Sequence, residues 1–456
     1  MSQSWRAQGL KNDERKRDGL YLLILGCLVF VLLGSALEAV SPVSMTDLRA
    51  YYYSTRVLLQ KHDPYNASDV MRIYRAEEKE RPNDSEKNQE VITKFIYFPP
   101  TLVLTAPMGA MPFDQTRLIW MILNAGCLIL GSFAAWDLAA EYAPLIGGAL
   151  AGFLVANSEL VLITGNSVGI AVGLCVVSVW CITKGRLTIA GILCMAISLM
   201  LKPHDAGLIW VYLILAGGIY RKRAWQILAA TTVLSIPGFV WISIVSPHWL
   251  HELRGNMTAL SVHGGVADPG PASSGAHALA MQINLQTVVS VFWDNPSFYN
   301  AVSYLVCGML FLIWAAGVLR PNRSPKMNWV ALAFAASLSM LPLYHRQGDA
   351  KLLLLIIPAA ALMWVRGGRL GKVTLAVTWG GLFATAEIPW AILLEGMKHL
   401  HVPDSPWARW GLIAIQVFPI PLTLLSMSIY YLWLLPRSER RQVVGAEHAK
   451  IDSLIS

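Results

Sequence analysis

The sequence predicts an all-α polytopic membrane protein of about 12 transmembrane helices, each span needing about 20 mostly apolar residues. Three observations lead there. Of 456 residues, 55% are hydrophobic and only 14% charged, whereas soluble domains carry roughly a quarter charged residues. Apolar runs of spanning length recur along the whole chain. Basic residues collect in short clusters between them: RKR (221–223), RPNRSPK (320–326), VRGGRLGK (365–372) and PRSERR (436–441). That spacing is the signature of cytoplasmic loops, so it accounts for the net charge of +8 without nucleic acid as a partner.

Taken in order, the first run, GLYLLILGCLVFVLLGSALEAV (19–40), is too long for a signal-peptide core and lacks a cleavage site. It reads as a retained helix that leaves the basic tail, 1–18, in the cytoplasm. Further spans are expected near 97–113, 115–137, 166–183, 187–202, 205–220, 224–246, 297–319, 327–343, 351–365, 373–394 and 408–435. The run 143–165 must then start and end outside, which predicts a re-entrant or broken pair, tolerated where backbone lines a cavity rather than lipid. Residues 19–435 form one membrane-embedded domain, and 436–456 a second cytoplasmic tail. Two long outer loops remain, 41–96 and 247–296. The first carries mixed charge, which by itself argues for the inside; the alternation of the later clusters outweighs it. The expected location is the cell (inner) membrane, with the working face toward the periplasm or exterior. The six cysteines (Cys27, Cys127, Cys175, Cys181, Cys194, Cys307) all fall in apolar runs without metal-ligand spacing and read as small buried hydrophobes.

Chemistry concentrates on the outer side. Directly after the first span comes SPVSMTDLRAYYYSTRVLLQKHDPYN (41–66). A helix is expected from Ser44 to Gln60, with Leu48, Tyr51, Tyr52, Thr55, Leu58 and Leu59 on one side and Arg49, Arg56 and Gln60 on the other. Such a helix suits the headgroup layer, where Tyr rings prefer to sit, and Asp63-Pro64 ends it. Asp47 has two readings. Ser44-x-x-Asp47 resembles a capping box, and an acid in a first turn favours the helix dipole; alternatively the carboxylate is a general base at the membrane surface. TGNSVG (164–169) puts Asn166 at a span end, LKPHD (201–205) puts Lys202 and His204 between two spans, and LPLYHRQGDAK (341–351) gathers His345, Arg346, Asp349 and Lys351. Each alone suits a snorkelling anchor; together they outline a polar hollow. The Gly-, Pro- and Ala-rich stretch 263–286 is either a lid or a plain connector.

A first span followed by an outer Asp on a D-x-x-x-Y-Y helix ending in D-P-Y resembles the polytopic GT-C glycosyltransferases. The chain is more narrowly similar to glycosyltransferase family 87, the polyprenol-phosphate-mannose-dependent α-mannosyltransferase-like proteins. YFPP…PMGAMPF (97–113), GNSV (165–168), KP (202–203) and YHR (344–346) carry the likeness. It departs at Gln60-Lys61-His62, where the family shows Gly, at GNSV, which lacks a Gln, and at KPH, where KPQ is more usual.

The resemblance implies transfer of a sugar, mannose first, from a polyprenyl-phosphate donor to a hydroxyl of a glycolipid or glycan acceptor, with inversion and with Asp47 as base. His345 and Arg346, then Lys202 and Lys351, are the cations expected at the donor phosphate. Arg49, Tyr51, Tyr97, Asn166 and His204 are the remaining substrate-binding candidates. No cofactor is expected beyond the donor: G-x-x-x-x-G-K-[ST] is missing, and no DxD-type signature near Asp47 calls for a metal. A transporter or flippase is the rival; it predicts internal repeats, sites near the midplane and loops of similar size on both sides. A polymerase or ligase working from a polyprenyl diphosphate is another, to which YHR but not the Asp47 helix belongs.

Overall fold

The computed structural model describes residues 2–41, 44–77, 86–270, 282–320, 328–398 and 405–455, which are helical almost throughout and contain no strand. The N-terminal half runs α1 (Ser2–Val40), α2 (Thr46–Leu59), α3 (Ala67–Glu77), α4 (Glu86–Thr93), α5 (Pro99–Gly109), α6 (Phe113–Ala140), α7 (Pro144–Ala156), α8 (Glu159–Ile163), α9 (Val168–Lys184), α10 (Thr188–Leu201) and α11 (Pro203–Ala216). It continues through α12 (Gly218–Val245), α13 (Trp249–Ser261), α14 (Leu285–Phe292), α15 (Pro296–Val318) and α16 (Trp329–Ser339). A 3-10 helix (Gln347–Ile356) then leads directly into α17 (Ile357–Arg366), followed by α18 (Gly368–Ala384), α19 (Glu387–Lys398), α20 (Pro406–Val417) and α21 (Pro419–Ile455).

Small residues set how closely the first helices approach. Gly19 and Gly26 of α1 face Gly148 and Gly152 of α7 so tightly that a Cβ at any of them would overlap the other helix's backbone. This is the small-xxx-small packing of membrane helices, where dispersion replaces the hydrophobic drive between helices. The centre of the molecule is α16, all of it buried, against the 3-10 helix and the start of α17. On the periphery α12 exposes Val233, Ile236, Val240 and Ile244, and α15 exposes Leu305, Leu312 and Ile313. Apolar surface of this extent fits a hydrocarbon surround.

Among the described residues, seven helices are long and apolar enough to cross a membrane, eight if the bent pair α18–α19 is one span. Four others of the expected spans are shorter apolar helices, α9, α10, α11 and α16, and the run at 97–113 is helical only over α5. The four short helices each stop or start beside the same set of polar breaks, at 164–167, at Lys202 and at 340–346. Two expectations change. The run 143–165 breaks at Asn157–Ser158, but Pro144–Ile163 is long enough to cross by itself. Its break is stitched by side chains, with Asn157 donating to the Phe153 carbonyl (2.9 Å) and Ser158 to that of Leu154 (2.9 Å). The sharply bent span, at 54°, is instead the one expected at 373–394.

The helix carrying Asp47 also differs from its expected setting. It is not a half-exposed helix lying on a surface: ten of its residues, Arg49 and all three Tyr among them, are buried between α3, α4, α5 and α6. No capping box forms. Met45 is the N-cap, in the left-handed region at φ 55, with no side-chain cap bond, and the Ser44 hydroxyl donates to Glu38. Two backbone bonds take over, Met45 N to the Ile163 carbonyl and Asp47 N to that of Thr164, both 2.8 Å. They satisfy first-turn donors and pin the start of α2 to the α8–α9 turn. Of the stretch 263–286, residues 271–281 lie outside the described residues. Its far end is zipped to the YHR segment by Ile283 N to the His345 carbonyl (3.1 Å) and Leu285 N to that of Leu341 (2.9 Å).

Candidate active site

The α8–α9 turn is where the first functional group is set. Gly165 has φ +66, and a Cβ there would come within 2.8 Å of Met45 Sδ and 2.9 Å of Leu48 Cβ, so only glycine lets α2 seat against the turn. The Gly165 carbonyl accepts from Trp120 Nε1 at 2.6 Å. Its neighbour Asn166 closes the turn into the next helix, its Oδ1 accepting from Val168 N at 3.0 Å. With that oxygen engaged, the amide NH2 is turned outward and donates to Asp47 Oδ2 at 2.7 Å. The Asp47 carboxylate is thus held by a neighbour 119 residues away.

Asp47 and Asn166 form one wall of a cleft of about 120 Å³. Tyr97 stands beside them, its ring 4.3 Å from that of Tyr51; Tyr51 itself is fully buried and bonds Ser167 at 2.9 Å. The same cleft is lined by Lys202, His204, Tyr344, Arg346 and Asp349, while Lys94, Leu260, Val266 and Ala267 come from the two long loops.

The cationic wall is an interlocked set. Arg346 Nε donates to Tyr344 Oη at 2.5 Å, and Arg346 N donates to Asp349 Oδ2 at 2.8 Å, fixing the turn into the 3-10 helix. Tyr344, and after it Asp47, hold the half-buried Arg346 guanidinium firmly charged. Lys202 Nζ lies 2.5 Å from Asp349 Oδ1 and 3.8 Å from Asp205 Oδ2. His345 Nδ1 faces the Leu343 carbonyl at 3.0 Å. A carbonyl only accepts, so Nδ1 carries the hydrogen, and Nε2 turns to Asp205 Oδ1 at 3.2 Å. Burial works against charging this ring, but the Asp205 and Asp349 carboxylates outweigh it and raise its pKa above the usual value. The rings of His204 and His345 meet edge to face at 4.9 Å.

His204, Asp205, His345 and Asp349 each present a ligand-capable atom, all within 4.8 Å of one another. Two imidazoles and two carboxylates suit a first-row divalent ion. The Lys202 ammonium already stands against one of those carboxylates, so this fold has its own cation at that point.

Six of the ten nominated residues line the cleft: Asp47, Tyr97, Asn166, Lys202, His204 and Arg346. Tyr51 and His345 lie directly behind, supporting Tyr97 and His204. Two fall elsewhere. Arg49 is buried over the Phe113 ring at 4.3 Å, and Lys351 points to the other side of the 3-10 helix, where its Nζ meets Glu387 Oε1 at 2.9 Å and the Asn157 carbonyl at 2.5 Å. Neither lines the cleft. The sequence reading counted Asp349 among the polar groups at 341–351 and quoted Tyr344 in YHR, but gave neither a site role, and it assigned none to Asp205 in LKPHD. It also passed over Lys94, which no motif marks.

Among known proteins, the curated and the solved-structure comparisons returned no match. A family model does match: that of glycosyltransferase family 87, over residues 95–343. This stretch contains Tyr97, Asn166, Lys202 and His204; Asp47 and Arg346 lie outside it and reach the same cleft by the fold alone. With its all-helical, membrane-spanning architecture and more than half its length matched, the chain belongs to glycosyltransferase family 87.

Proposed function

We propose that this glycosyltransferase is an inverting enzyme that takes a sugar, mannose first, from a polyprenyl-phosphate donor. The acceptor is a hydroxyl of a glycolipid or glycan on the extracytoplasmic side. One observation supports the reading: a carboxylate held by an amide and a set of fixed cations line one small cleft together.

In this scheme the acceptor oxygen attacks the anomeric carbon while its proton passes to Asp47. The bond from that carbon to the donor phosphate oxygen breaks on the far side, and the electron pair leaves with the polyprenyl phosphate. Attack opposite the leaving group inverts the centre. Asn166 holds the base in position. Arg346 and Lys202 neutralise the charge that grows on the departing phosphate, where preorganised donors act most strongly in a water-poor site. His204 lies on the same wall, and Tyr97 offers a ring face for the sugar.

The test is Asp47→Asn, which keeps the shape and the Asn166 neighbour but cannot take a proton. In reconstituted membranes supplied with polyprenyl-phosphate mannose, transfer should fall by roughly 10²–10⁴-fold, with donor binding retained. Transfer at the parental rate removes Asp47 as the base. Donor translocation between leaflets without any glycosidic product favours the flippase instead.

A further inference from the structure

A second, wider groove opens beside the cleft, between α4 and α13, and nothing in the proposed step uses it. It has a volume of about 640 Å³ and is lined by Glu90, Lys94, His251, Arg254, Thr258 and Val262, among others. Lys94 lines both this groove and the catalytic cleft, so the two spaces share a wall. Both helices belong to the long outer loops, and α13 sends Leu260 into the cleft. The groove is thus placed to take the rest of an acceptor whose hydroxyl lies at Asp47.

The charge in it is uneven. Lys94 is neutralised locally by Glu90, one helical turn earlier. Arg254 is exposed and has no partner among the described residues, and His251, one turn before it on α13, is exposed beside it. A guanidinium is a planar fork of donors matched to an oxyanion. Thr258, one turn further along the same face, adds a hydroxyl. The remaining lining is small or apolar: Gly255, Ala259 and Val262.

We propose that the α4–α13 groove is the acceptor subsite and that Arg254 recognises an oxyanion, phosphate or carboxylate, attached to the acceptor's sugar chain. This deepens the glycosyltransferase reading and rests on it, because an acceptor site presupposes transfer. Arg254 touches only the acceptor's remote part, so it governs affinity and not the bond-making step.

The test separates binding from transfer. The detergent-solubilised full chain is titrated by calorimetry with a mannotetraose carrying one terminal phosphate, with the same tetraose lacking it, and with inorganic phosphate alone. The parent should bind the phosphorylated chain at least tenfold more tightly than either other probe. Arg254→Gln should abolish that preference while leaving affinity for the neutral chain unchanged, and Arg254→Lys should restore part of it. Equal affinity for the two tetraoses, or a preference that survives Arg254→Gln, overturns the proposal. Binding of inorganic phosphate as tight as that of the phosphorylated chain overturns it too, since the site then reads an anion and not an acceptor. Transfer from polyprenyl-phosphate mannose is measured separately. Its absence in the parent would refute the glycosyltransferase step whatever the binding data show.

Discussion

At the scale of residues, the informative contact is the amide behind Asp47. A carboxylate in a first helical turn is ordinarily explained by the helix dipole, but here its oxygen accepts from a side chain across the molecule. Asn166 has one oxygen and one NH2, and the fold uses both: the oxygen accepts from the first residue of α9 and the NH2 donates to Asp47. Asn166→Ala should therefore lower kcat by roughly 10- to 100-fold, the scale of loss from a misplaced reacting group, with donor KM little changed in the reconstituted assay. An unchanged kcat would mean that the contact is incidental. Lys351 is the opposite case. It read as a phosphate ligand because it stands five residues from Arg346, yet it is almost wholly buried against Glu387. Lys351→Met should cost on the order of 3 kcal/mol of stability by leaving a buried carboxylate without its partner, seen as a lowered Tm in detergent. Any folded fraction should keep its donor KM, whereas Arg346→Ala should raise that KM in protein of parental Tm.

At the scale of elements, the site is made by helix ends. The α8–α9 turn, the α10–α11 break at Lys202 and the turn between α16 and the 3-10 helix all open onto one cleft, and α2 is docked there through two backbone bonds. Helix ends expose unpaired polar backbone groups, which membrane proteins tolerate only away from lipid. The breaks and the cleft therefore occur together. Gly165 is a closely packed point of this assembly. Gly165→Ala would put a side chain at φ +66 within 2.8 Å of Met45 Sδ. The conformation costs about 1–2 kcal/mol for a residue with a Cβ, and the contact adds to it. The expected outcome is a lowered Tm together with transfer below the Asn166→Ala level, because α2 carrying Asp47 must back away. A variant with parental Tm and activity would show that α2 has slack at this point.

For the whole molecule, the cleft is assembled from both long loops and from helices in both halves of the chain, so its side of the membrane is set by topology. If the alternation of basic clusters is the true guide, a cysteine replacing exposed Lys61, in a chain otherwise lacking cysteine, should react with an impermeant maleimide added to intact cells. Labelling only after the membrane is broken would put the cleft on the cytoplasmic side and remove the extracytoplasmic transfer scheme. The sequence alone determined that this chain is all-helical and membrane-embedded, because apolar content and the length of apolar runs act locally, through the hydrocarbon environment each helix meets. It also marked the short polar segments from which the cleft is drawn, since polar residues at the ends of apolar runs stand out against their neighbours. Only the tertiary structure decided which of them face one another. Asp47 meets Asn166 across 119 residues and Lys202 meets Asp349 across 147, and no local pattern encodes a pairing at that separation. The same packing buried α2 where an interfacial helix was expected and turned Lys351 to the far side of its 3-10 helix, because a side chain's direction follows from the neighbours its helix packs against.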